Sequence, residues 1–107
     1  MLFTKSAVIS PQEARRIMEQ TGDFILLDVR TPSEYRQIRI DGAKLIPVDD
    51  LGSRAAKELS DKHIPILIYC QSGMRALNAV KMLTRMGYTN AVSFGGIMNW
   101  PHETVSG

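Results

Sequence analysis

A chain of 107 residues with 44% hydrophobic and 22% charged side chains has the length of one domain and globular proportions, which excludes a second full-sized domain, disorder and low-complexity repeats. Surface scaling buries ~65% of the unfolded chain's area, so a core forms without a metal or disulfide staple. Thirteen basic and 11 acidic residues leave a net charge of +2, spread without a run, which argues against a nucleic-acid surface.

The opening MLFTKSAVIS lacks an apolar stretch of signal-peptide length. Ser10-Pro11-Gln12-Glu13 has capping-box spacing with Pro at the first helical position, and Ala14, Ile17 and Met18 follow at helical intervals, so a helix is expected from Pro11 to about Gln20. After Gly22, Phe24 to Val29 is apolar except for Asp28, as in a strand covered on both faces. Its longest unbroken run, Phe24 to Leu27, is far too short to span a bilayer. Thr31-Pro32-Ser33-Glu34 repeats the capping grammar and starts a short helix that fades before Asp41-Gly42, with Glu34 read as a cap.

Leu45-Ile46 is a brief strand candidate, and Leu51 to Leu59 is weakly helical. Pro65 opens the central buried strand Ile66-Leu67-Ile68-Tyr69, with Cys70 at its C-terminal end. From Arg75 to Met86, Ala76, Leu77, Ala79, Val80, Leu83 and Met86 form an apolar face opposite Asn78, Lys81 and Arg85, and Gly87 closes the helix. Ala91 to Phe94 is a further strand, Gly95-Gly96 a turn, and Ile97 to Trp100 a last helical turn. Trp100 is read as an anchor for that turn, and the tail from His102 as frayed.

Strands alternating with helices imply an α/β fold with right-handed crossovers and a parallel sheet, whose ligands collect beyond the carboxyl ends of the strands. Arg30 and Cys70 both lie at such ends. Cys70 is the only cysteine, which excludes an internal disulfide and suits a reducing, cytoplasmic compartment. His63 and His102 are too far apart for zinc-ligand spacing and are read as solvated, so no metal is expected.

Cys70-Gln71-Ser72-Gly73-Met74-Arg75 joins a strand to a helix, and its free backbone N–H groups form an anion cradle. These dipoles and Arg75 favour a thiolate, and such surroundings lower a cysteine pKa from ~8.5 into the ~3.5–7.5 range. Against this stands the ordinary reading of a lone cysteine as a small buried hydrophobe. Asp28 is costly to bury unpaired, so it is expected to meet Arg30, another basic partner, or loop amides, and to support the site rather than react. Met82 and Met86 are core, while Met74 lies in the loop within reach of an acceptor.

The sequence resembles the rhodanese family in four ordered blocks: Leu26-Leu27-Asp28-Val29-Arg30 with Pro32 and Glu34-Tyr35; Gly42-Ala43 with Ile46-Pro47; Cys70 to Arg75; and Gly95-Gly96 with Trp100. The resemblance implies one domain over residues 1–107, a three-layer α/β/α fold whose central parallel sheet has about five strands. It also implies a sulfurtransferase in which Cys70 carries a sulfane sulfur as a persulfide. Gln71, Ser72, Gly73, Met74 and Arg75 would bind substrate, and Asp28 and Arg30 would support the site.

The implied partners are a small anionic sulfur donor such as thiosulfate, or a persulfide, and an acceptor that is cyanide, a small thiol or a protein cysteine. No cofactor, nucleic acid or membrane is implied. Related phosphatases and arsenate reductases use one more residue between Cys and Arg, so four intervening residues favour the sulfur chemistry. A binding or regulatory module without catalysis is the other alternative. One departure is plain: Ile38-Arg39 stands where family members often carry Gly-His, and Arg39 is expected in solvent rather than adding positive potential near the substrate.

Overall fold

A computed structural model describes residues 7–107; the first six residues of the segment read for a signal sequence lie outside them. Helix α1 (Pro11–Gln20) is capped by the Ser10 side chain, which accepts from the Glu13 N–H. Strand β1 (Ile25–Asp28) follows, then α2 (Pro32–Gln37), β2 (Lys44–Leu45), α3 (Val48–Glu58), β3 (Ile66–Cys70), α4 (Met74–Arg85), β4 (Ala91–Gly96) and a 3₁₀ turn (Ile97–Asn99). The helices and strands expected along the chain are all present. The weakly helical segment begins at Val48 rather than Leu51, and Gly95-Gly96 ends β4 instead of forming a turn.

Among the described residues four strands, against an expectation of about five, form one parallel sheet in the order β2-β1-β3-β4. Beside β4, Val8 forms an isolated parallel bridge with Ser93. The order places a topological switch point between β1 and β3, because the chain leaves β1 toward one edge and returns on its other side. Ligands of open α/β sheets settle at such a crevice.

Each face of the sheet has its own core. Leu27, Val29, Ile66 and Ile68 pack with the buried residues of α3 and α4, and Met82 and Met86 lie against them. Leu26, Leu67, Val92 and Phe94 pack on the other face with Ala14, Ile17 and Trp100. Side chains of a strand point alternately to the two faces, so an unbroken apolar run such as Ile66–Tyr69 fills both layers. Trp100 anchors the chain end as expected, with its ring 5.3 Å from that of Phe94.

The tail does not fray. The backbones of Val105 and Arg39 exchange two hydrogen bonds of 2.8 Å, and the Gly107 N–H donates to the Arg36 carbonyl at 2.8 Å. Arg39 is half-buried rather than free in solvent. Its guanidinium lies 4.6 Å from the Tyr35 ring centre and donates to the Gly107 carbonyl at 2.8 Å. Nor is His102 solvated: its ring stands edge-on to Trp100 at 4.8 Å and its Nε2 is buried. His63 is exposed, with Nδ1 3.0 Å from the Thr89 hydroxyl.

Candidate functional site

The ends of β1 and β3 meet at the switch point, where Asp28 is in register with Tyr69 and Cys70 with Gly96. Asp28 and Arg30 have fully buried side chains joined at 2.7 Å. The Arg30 Nε also donates to both Asp28 carboxylate oxygens, at 3.0 and 3.1 Å. Its remaining donors reach the Gln71 Oε1 at 3.2 Å and the Ile38 carbonyl at 2.6 Å. The expected pairing is therefore present, and through Gln71 it reaches the cysteine loop.

Cys70 closes β3 and is 1% exposed. The Gly73 N–H donates to its Sγ at 3.0 Å. Gly73 has φ +120, a conformation open to glycine, and precedes the first turn of α4. The thiol is thus buried, yet it faces a backbone donor. Ser72 and Met74 are exposed on the loop, while Gln71 is half-buried and its carbonyl accepts from the Met98 N–H at 3.4 Å.

Arg75 points its two terminal nitrogens at Glu34, at 2.8 and 3.0 Å. Glu34 is also the cap expected from its spacing: the Thr31 side chain accepts from the Glu34 N–H, and the Glu34 carboxylate accepts from the Thr31 N–H. The Arg75 partner was not visible in the sequence, because the two residues are 41 positions apart; the only local sign was an acid on an exposed cap. The Arg75 fork holds the Glu34 carboxyl down to about 2, below its ordinary value of 4.5. The folded value is the lower one, so this contribution to stability is present above the ordinary value and lost as pH falls toward 2. In acid titrations followed by circular dichroism, the stability gap between wild type and Glu34→Gln is expected to close over that window; a constant gap would refute it.

Gly96 lets the loop sit against β4. A Cβ at this position would collide with the Gln71 carbonyl oxygen and lie 2.6 Å from the Ser72 Cα. Both are backbone atoms, so no side chain can swing away. Gly96→Ala is expected to cost about 1–3 kcal/mol in urea unfolding, as overpacking does. Gly22→Ala, where nothing lies within 4 Å, is the control; equal midpoints for the two variants would contradict the close approach.

No helix among the described residues is long and apolar enough to cross a membrane. Residues 10–103 match the rhodanese-like domain family. The thiosulfate sulfurtransferase PspE of Escherichia coli K12 is 33% identical over 81 residues, covering 76% of this chain and 78% of PspE. A probable adenylyltransferase/sulfurtransferase of Mycobacterium tuberculosis, MoeZ, is 32% identical over 100 residues, and the chain spans about a quarter (26%) of its length. Among solved structures, an E. coli rhodanese with anions superposes with a TM-score of 0.72 at 30% identity, covering 79% of this chain and 100% of that one. The human single-domain sulfurtransferase TSTD1 does so with a TM-score of 0.80 at 27% identity, covering 89% of this chain and 95% of its own. With the family match over nearly the whole length and the cysteine loop seated at the switch point, the chain belongs to the rhodanese-like domain family.

Proposed function

We propose that this chain is a sulfurtransferase that carries a sulfane sulfur as a persulfide on Cys70. The observation that carries the reading is the Gly73 N–H aimed at the Cys70 Sγ at 3.0 Å, at the end of the central strand. A donor bonded to the charged form of a group favours that form, and it serves a persulfide as an oxyanion-hole donor serves oxygen. The sulfurtransferase names of PspE and TSTD1 support the same chemistry.

In the first half-reaction the Cys70 thiolate attacks the outer sulfur of thiosulfate. The new S–S bond forms as the old one breaks, and sulfite leaves with the electron pair. A persulfide donor reacts in the same way, with its thiol as the leaving group. In the second half, an acceptor takes the outer sulfur and Cys70 returns as a thiolate. Cys70 is the only cysteine, so no internal thiol resolves the persulfide and the acceptor is external: cyanide, a small thiol or a protein cysteine. The same lone thiol suits a reducing compartment such as the cytoplasm.

Only four residues separate Cys70 from Arg75 and the thiol is 1% exposed. Such a cradle suits one sulfur atom better than a phosphoryl group with three equatorial oxygens, which favours sulfur transfer over phosphatase or arsenate reductase chemistry. Intact mass spectrometry after thiosulfate treatment is expected to show one added sulfur, removed by cyanide with release of thiocyanate. A protein that takes no sulfur from thiosulfate or from a persulfide would overturn the reading and leave a binding module.

A further inference from the structure

Large apolar side chains are strongly exposed at four places among the described residues: Val8, Ile38 (41%), Met74 (68%) and Met98 (69%). Three of the four are attached to the cysteine loop. Met74 belongs to it, Met98 donates its N–H to the Gln71 carbonyl, and the Ile38 carbonyl accepts from the Arg30 guanidinium that also reaches Gln71. The loop's one cation, Arg75, is engaged by Glu34. The loop that carries Cys70 thus combines a paired charge with exposed methionines held in or against its backbone, whose thioethers are flexible and polarizable and fit apolar partners of varied shape.

Something must approach this rim, because the sulfur leaves Cys70 only to an external acceptor. Resting on the sulfurtransferase reading above, we propose that Met74 and Met98 determine acceptor specificity, selecting a thiol borne on an apolar carrier over a small polar one. The carrier is a free alkyl thiol or an apolar stretch of protein around a cysteine; the recognising chemistry is the same. In the transfer the acceptor sulfur attacks the outer sulfur of the Cys70 persulfide, and its proton ends on the transferred sulfur. The old S–S bond breaks and leaves its electron pair on the Cys70 thiolate, and the acceptor departs as a persulfide.

The test is a chain-length series. Protein loaded with one sulfur is mixed with straight-chain thiols from ethanethiol to hexanethiol, which share one thiol pKa, and loss of the added mass is timed. Full burial of a methylene is worth about fourfold, and a rim open on one side about half of that free energy, so the rate is expected to rise about twofold per methylene. Met74→Ser and Met98→Ser are each expected to lower the hexanethiol-to-ethanethiol ratio toward one, and Met98→Leu to keep it. The ratio is internal to each variant, so a general loss of activity cancels. A cysteine peptide flanked by leucines that outpaces both hexanethiol and a serine-flanked peptide marks a protein as the acceptor, and one that does not outpace hexanethiol marks a small thiol. Loaded protein that yields thiocyanate with cyanide but shows no chain-length slope overturns this inference alone, whereas protein that never loads overturns the sulfurtransferase reading itself.

Discussion

Arg30→Ala is expected to destabilise the protein by about 3–5 kcal/mol, because it leaves the carboxylate of Asp28 buried and unpaired. Both side chains are fully buried, and the Arg30 guanidinium donates three hydrogen bonds to the Asp28 carboxylate. A domain of this length has ~5–15 kcal/mol in total, so the loss is a large share of it. At ~4–8 °C per kcal/mol, the melting temperature is expected to fall by at least ~12 °C. The double variant Asp28→Leu/Arg30→Met removes both charges together and is expected to be less destabilised than Arg30→Ala, since no lone ion remains. A single variant that melts within about 3 °C of wild type would show that the pair does not hold the end of β1.

Cys70→Ser is expected to abolish sulfur loading and turnover while leaving the fold intact. Serine nearly matches cysteine in size, and its hydroxyl still accepts from the Gly73 N–H that now meets the sulfur at 3.0 Å. What is lost is chemical: an alkoxide is far less accessible than a thiolate near neutral pH, and the thiolate is the sulfur nucleophile. Unchanged unfolding midpoints with no added mass after donor treatment, and no thiocyanate from cyanide, are the expected result. Residual turnover above about one percent of wild type, set against the tenfold cost of each ~1.4 kcal/mol of barrier, would place the sulfur elsewhere.

Local grammar explains why so much of the fold could be read directly. Ser10 and Thr31 cap their helices as their spacing foretells, since a capping hydroxyl needs only the N–H three residues on. The apolar run before Cys70 announces β3 because a strand buried on both sides can carry no polar side chain without a partner. Even the Asp28–Arg30 pair is local, two residues apart, and burial cost alone called for a partner. The parallel sheet and the position of the cysteine loop between a strand and a helix were legible on the same basis, while the four sequence blocks were legible through the family resemblance.

Contacts across the sheet were not legible in this way. Glu34 satisfies its cap whether or not Arg75 arrives, so nothing in its surroundings in sequence marks it as the partner of a residue 41 positions away. Gly96 reads as one half of a turn until β3 and β4 are side by side and the Gln71 carbonyl occupies the space of its missing Cβ. The tail reads as frayed because its backbone partner, Arg39, lies on the far side of three strands in the chain. Met74 is placed in the loop by sequence, whereas Met98 is an ordinary apolar residue there, and only folding attaches it to the same loop. The amino-acid order by itself determined the elements and the two-sided core, since caps, periodicity and burial act within a few residues, and it marked Cys70 as the candidate for the chemistry. Tertiary structure alone decided which charges and carbonyls meet the cysteine loop, because those neighbours are brought together by sheet register, which joins residues far apart along the chain.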